Sequence, residues 1–553
     1  MKKLLTSALL LSAACATAQT PFNTLDSVNI NKINAMVLVH GDMWWNPTPS
    51  VMNSHCYFPN GTSKSISSTG AIWMSGYDGS NQLHVAAQTY RQAGNDYWPG
   101  PLDASGALTY TTSQQWAKIW KVNRTDIQHF QHLIANGTAS ATTIPAAIWT
   151  WPAKGNANAQ GNAGAALTIT TDMAPFIDVN ADGTYQPLLG DYPDVKGDQA
   201  LWWVFSDNGP VHTQSNGTPL KVEVHAMAYA YNRGTVIDNV IYYEYTVKNK
   251  SANNYTNFRI GQLADVDLGT FNDDYIGFDS TRSMGYVYNG NNIDGQYGTS
   301  IPMAGVMILG LTGGATATRA GSFTYYNNDN SLIGNPTTAT DFDYYLRSRL
   351  RTGQHVTNDY AGPGTISRGY GPGPDEKFVY SGDVADINGW SECRAGNLAG
   401  DRRFVIASGD ITFNAGSTVT LTMALITTDP DTNNACGDTL TLTDLHHVAD
   451  SATTVYNGGG IPPLPDAVTN VNTNMKLKVY PNPAHNLLYI ESEKHLSGTA
   501  DIHIYNTVGQ EMHITINNSG QRYIADISPL PTGVYYLRYS NDNTNSITKF
   551  CKE

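Results

Sequence analysis

Oxygen-bearing side chains fall at alternate positions at the start of one stretch. Asp178, Asn180 and Asp182 take the first, third and fifth places of a loop, with Gly183 sixth and Thr184 seventh. This is the pattern a hard cation needs. Three side chains and one carbonyl, that of Thr184, converge while the glycine takes the sharp bend. The twelfth place holds Leu189 rather than a bidentate Glu, which excludes a helix–loop–helix hand. Asp191 or Asp194 is left to complete the shell. The expected ion is calcium, bound in the extracellular range of about 10⁻⁴ to 10⁻³ M. The plain alternative is a loop of Asx turns with solvated carboxylates.

A second acidic cluster holds Asp265, Asp267, Asn272, Asp273, Asp274 and Asp279. Carboxylates packed together without a cation repel one another, so Asp265, Asp267, Asp273 and Asp274 are further candidate ligands. They stay unliganded if they point separately into water. Arg402 and Arg403 follow an Asp and precede a strand, which reads as an ion pair to one of the acidic clusters. Trp44-Trp45 and Trp202-Trp203 are either sugar-stacking platforms or buried core. His129 and His132 share a possible helix face and His446-His447 are adjacent, yet no His-Glu-x-x-His occurs, so these read as surface histidines. Gly-x-Ser-x-Gly and phosphate-cradling glycine loops are also missing from the sequence.

These residues must be carried mostly by strands. Leu201-Trp202-Trp203-Val204-Phe205 follows the first loop directly and reads as a strand that the loop pins at a sheet edge. Val222 to Tyr231, Val236 to Lys248 and Asn257 to Val266 alternate or run apolar between turns, and Asp265 closes the last of them. Helical spacing appears from Ser113 to Asn136, where Asp126 or Thr125 could cap the second piece. It recurs at 341–351 and from Thr441 to Asn457. The expected fold is mainly β. A large β-sandwich-like body with a few short helices spans 19–457, a Gly/Pro-rich linker 458–474, and a small seven-stranded Ig-like sandwich 475–553.

Charged residues are only 14% of the chain, well below the usual quarter, and the net charge is -14. That balance argues against nucleic acid or an anionic membrane as partner and permits divalent cations. Residues 1–18 read as a signal peptide, with Lys2-Lys3, an apolar run and Ala16-Thr17-Ala18 before Gln19. Cys15 raises a lipoprotein alternative, against which stands Ser12 at the place of a large aliphatic. No later stretch is apolar for long enough to be a membrane-spanning helix. Four cysteines follow the signal. Cys393 and Cys436 lie in loops flanking the strands at 404–427 and are expected to pair in an oxidising compartment.

The tail resembles the type A C-terminal sorting domain of type IX secretion cargo. The residues carrying the resemblance are Val479-Tyr480-Pro481-Asn482-Pro483-Ala484, the run from Ile504 through Gly509 to Gln510, and Leu530-Pro531-Thr532-Gly533-Val534-Tyr535. Cys551, near the end, is unusual for such a tail. The resemblance implies export by the type IX machinery from the periplasm, followed by release or attachment to surface lipopolysaccharide. The body, through stretches such as Asp96 to Leu102 and Gly400 to Phe404, is similar to large secreted proteins of unassigned activity carrying the same tail.

Three functions compete. The first is a non-enzymatic secreted or cell-surface protein, structural, adhesive or glycan-binding, with calcium-stabilised loops. The second is a hydrolase of extracellular polymers using acidic residues of either cluster. The third is a carrier whose only readable activity is its own export. A cleft joining Asp residues to exposed tryptophans would favour the hydrolase, and buried tryptophans beneath flat surfaces the structural role.

Overall fold

The computed structural model describes residues 22–313, 319–432, 434–437, 439–461, 477–492, 501–506, 511–519, 522–541 and 544–553. The signal peptide, Gly509 and most of the linker lie outside them. The chain divides into two compact units, Met1–Pro462 and Pro463–Glu553.

The first unit is built on two large antiparallel sheets. One runs, by strand, Leu25–Val28, Asn34–Leu38, Asp42–Met43, Thr69–Tyr77, Tyr255–Asp265, Arg402–Ser408 and Ala320–Asn327. The other runs Trp120–Asn123, Gln199–Ser206, Val222–Ala230, Val240–Asn249, Thr418–Thr427, Ala304–Thr312, Met284–Asn289 and Asp274–Asp279. Their inner faces share one core. Ile72, Met74, Ile260 and Ile406 of the first sheet pack with Leu201, Trp203, Tyr243 and Leu421 of the second.

The outer faces are covered as well. Trp202, Val204, Tyr242 and Ile426 pack with Phe130 and Ile148, and with Leu445 and Val448 of the closing helix Thr443–Tyr456. Ala71, Trp73, Leu263 and Val405 pack with Phe342 and Tyr345 of the helix Ala339–Tyr345. Side chains alternate across a strand, so a strand buried on both faces reads as an unbroken apolar run. That is why Leu201 to Phe205 is apolar throughout. The strand does not form the sheet edge that its position after the loop suggested, because Trp120–Asn123 pairs outside it.

The helical stretch from Ser113 splits into Tyr110–Trp116, the strand Trp120–Asn123 and the helix Arg124–Ala135. Asn123 caps the last of these in a capping box with Asp126, so Asp126 serves at the third helical position and not as the cap itself. Cys393 and Cys436 are joined in a disulfide with Cα atoms 5.6 Å apart. The Cys436 amide also donates to the Asn289 carbonyl at 2.8 Å, which ties the bridge to the Met284–Asn289 strand.

The second unit is a small sandwich of two four-stranded sheets with its own core, including Leu488, Ile490, Ile504, Leu537 and Phe550. Among its described residues it has eight strands where seven were expected. The stretch from Met512 to Asn517 supplies two, Glu511–Met512 and Thr515–Asn518, because the chain there crosses from one sheet to the other.

Candidate functional site

One residue from each of four strands meets in a row on the outer face of the first sheet. Asp265, the last residue of Tyr255–Asp265, pairs with Thr69 on one side and Arg403 on the other, and Arg403 pairs in turn with Tyr326. Period-two alternation puts all four on the face that Leu263 and Val405 cover deeper in. They form the floor of a cavity of about 510 Å³. Trp45, Tyr90, Gln92, Gln214, Asn328, Asn335 and Pro336 also line it. Trp45 meets the Tyr90 ring edge-on at 4.9 Å.

The floor is a charged network. Arg403 Nε donates to Asp265 Oδ2 at 2.7 Å, and the Tyr90 hydroxyl donates to the same oxygen at 2.6 Å. The Arg403 guanidinium lies over the rings of both Tyr90 and Tyr326. Its Nη1 donates to Asn335 Oδ1 at 2.8 Å, Asn335 donates to Asn328 at 3.0 Å, and Asn328 donates to Asp401 Oδ2 at 3.1 Å. Behind Asp265 stand Asp267 and Asp401, and the three carboxylates bring one oxygen each within 4.8 Å of one another. Ser68 donates to Asp267 Oδ2.

Burial raises the Asp265 carboxyl, with Arg403 opposing the shift. Burial and then the Asp265 charge push Asp267 well above the carboxylate range. Burial and the same two aspartates drive the Tyr90 hydroxyl far up, so it acts as a donor and cannot serve as a base.

Asp273 and Asp274 do not join this group. Asp274 is buried and accepts from the Leu268 amide at 2.9 Å, folding the loop after Asp265 back on itself. The Asp273 carbonyl accepts from Gly290 at 2.6 Å. Asp279 stands apart, paired with Arg282 at 3.0 Å and His446 at 3.1 Å. Burial alone would raise it, but hydrogen bonds from His446 and Arg282 hold it far below its usual range. Of the two arginines, Arg403 reaches the acidic cluster and Arg402 pairs with the buried Glu392 at 3.0 Å.

The first loop closes through its own side chains. Asp178 Oδ2 accepts from the Gly183 amide at 2.7 Å, and Asp182 Oδ1 from the Thr184 amide at 2.8 Å. Asn180 Nδ2 donates to Asp182 Oδ2 at 3.0 Å. Asp191 is buried beneath, accepting from the amides of Val179 and Gln186 at 2.9 and 2.8 Å. Gly183 adopts a φ of 76°, the left-handed bend its type permits. His129 and His132 are exposed on their helix.

Trp44, Trp202 and Trp203 are buried, and only Trp45 of the two pairs faces the cavity. Sequence reading named Asp265 and Asp267 but missed Asp401, Tyr90 and the amide side chains. The signal for Asp401 was its place beside Arg402-Arg403; no sequence pattern marks the others.

In the second unit Tyr480 opens onto Pro481-Asn482-Pro483. Asn482 Oδ1 accepts from the Cys551 amide at 2.8 Å, and Ala484 exchanges backbone hydrogen bonds with Cys551 and Glu553. The Tyr-Pro-Asn-Pro segment thus pins the final strand, Thr544–Lys552. Gly533 starts the neighbouring strand, and Tyr535 stacks on Phe550 while its hydroxyl donates to the Pro531 carbonyl at 2.8 Å. Residues 478–553 match the family described as the secretion system C-terminal sorting domain. The tail is a type IX sorting domain. A chain carrying this sorting domain is secretion cargo, exported to the cell surface or beyond. Among the described residues no helix is long and apolar enough to cross a membrane.

No curated protein matches the chain. Among solved structures, one described as a polysaccharide lyase aligns at 8% identity with a TM-score of 0.19, over 60% of this chain and 34% of that one. A likeness that slight carries no argument.

Proposed function

We propose that the exported body is a non-enzymatic, glycan-binding protein of the cell surface. The observation that carries this reading is the cavity above Asp265 and Arg403. Trp45 offers an aromatic surface to the apolar side of a sugar ring. Gln92, Gln214, Asn328 and Asn335 offer paired donors and acceptors to its hydroxyls. A concave site of this size with a few convergent polar groups suits a short saccharide. Surface lipopolysaccharide and other extracellular glycans are the partners this chemistry fits. Calcium at Asp178, Asn180, Asp182, the Thr184 carbonyl and Asp191 steadies the loop that leads into Gln199–Ser206.

The hydrolase is the second reading, because the cavity does join an Asp to a tryptophan. Two observations weigh against it. Glycoside hydrolysis needs two carboxylates flanking the bond about 5–10 Å apart with their oxygens free. Among the lining residues Asp265 is the one carboxylate, and its Oδ2 is held by Arg403 and Tyr90. Asp267 and Asp401 are not among the lining residues.

The test is a glycan array probed with the purified protein. Binding of a defined saccharide class is expected, with Trp45→Ala weakening it about tenfold or more, a loss of roughly 1.4 kcal/mol. Undiminished binding by Trp45→Ala would rule out this cavity. Release of new reducing ends from the bound glycan would favour the hydrolase.

A further inference from the structure

We propose that Asp265, Asp267 and Asp401 hold a divalent cation of the calcium class beneath the cavity. Nothing in the glycan reading is needed for this. The three side chains each place an oxygen within 4.8 Å of the others. Oxygens bound to calcium at about 2.3–2.6 Å stand up to roughly 5 Å apart across the ion, so the spacing suits one shared cation.

The arrangement of partners is the second observation. In every member one oxygen is taken: Asp265 Oδ2 by Arg403 and Tyr90, Asp267 Oδ2 by Ser68, Asp401 Oδ2 by Asn328. In every member the other oxygen, Oδ1, is closed to solvent and receives no hydrogen bond. Asp265 is itself fully buried. A buried carboxylate oxygen without a donor is costly, and three together are costlier still. Arg403 gives these oxygens charge but no hydrogen bond: its Nη2 stands 3.8 Å from Asp401 Oδ1, an ion-pair distance beyond hydrogen-bond reach. Donors that fix one oxygen and leave the other free are how outer-shell groups orient metal ligands. Charge agrees. With an ion holding all three ionised, three carboxylates against one guanidinium leave two negative charges, the complement of a divalent ion. Oxygen-only donors select a hard cation over zinc or copper.

The experiment uses the intact chain and terbium as probe, since Tyr90 touches Asp265 and can sensitise terbium emission. Asp182→Asn is introduced throughout to silence the loop at 178–184. The expected result is sensitised emission that millimolar calcium displaces. Adding Asp267→Asn or Asp401→Asn should weaken both metals at least tenfold. In chelator these variants should melt no lower than their parent, because an amide removes like-charge repulsion. Asp401, whose side chain is 23% exposed, carries the test if Asp267→Asn fails to fold. Absence of emission from the parent, or emission and calcium competition unchanged by Asp401→Asn, would overturn the proposal. A proton shared between the aspartates would then take the cation's place.

Discussion

Asp182 lies in a loop and Asp265 ends a paired strand, and their surroundings differ. Asp182 is exposed and accepts from the Thr184 amide and from two amide side chains, Asn180 and Gln186. Its own amide is held by Asp178 and Asn180 at 3.3 and 3.2 Å. Such a loop is ordered without an ion, so calcium there should add stability by mass action and not create the fold. With calcium at about a hundred times its dissociation constant the gain is about 2.7 kcal/mol. Asp182→Ala should abolish this gain and leave the melting temperature in chelator nearly unchanged. Melting of both proteins with excess calcium and with chelator measures it. Equal melting of the wild type in both conditions would make the loop an ordinary polar turn.

Elements that carry the cavity are held from several directions. The Tyr255–Asp265 strand is paired on both sides and packed on both faces. The Cys393–Cys436 bridge closes a loop over a sequence separation of 43 that contains the whole Arg402–Ser408 strand, and with it Arg403. In the chain-entropy account a loop of that length contributes about 3–4 kcal/mol. Cys393→Ser with Cys436→Ser should therefore lower the denaturant midpoint of the body. Reductant should lower the wild type in the same way and leave the double variant unmoved. A midpoint insensitive to both would show that the paired strands hold that region without the bridge.

At the scale of the whole molecule, two units have separate cores. The sorting domain buries Leu488, Ile504 and Leu537 among its own strands, and the body buries Trp203, Tyr243 and Leu421 among its sheets. Separate cores permit removal of the tail without unfolding the body. A chain ending at residue 474 should fold, retain its glycan binding, and accumulate in the periplasm. Fractionation and surface labelling of cells producing it provide the check. Normal surface display of the shortened chain would assign export to the body.

Much of this protein is legible in residue order because the forces involved are local. Alternation marked the strands around 222–266, and helical spacing marked 443–456. The Asp-x-Asn-x-Asp-Gly pattern marked a loop whose turns are set by side chains two to five residues away. The sorting domain is a short sequence folding on itself, so its Tyr-Pro-Asn-Pro and Gly-Val-Tyr signals sit where they act. The cavity is different. Thr69, Asp265, Arg403 and Tyr326 become neighbours only through strand order and register, which pair segments far apart in the chain. A register slip of one residue would turn Asp265 to the inner face, and nothing near it in sequence says which face it takes. Trp44 and Trp45 are adjacent and equally apolar, but Trp44 takes a left-handed bend, φ 68°, between two short strands, and the chain sends one into the core and the other to the cavity. Asp401 joined the acidic group for the same reason: charges that far apart in the chain interact only once the sheet has brought them together.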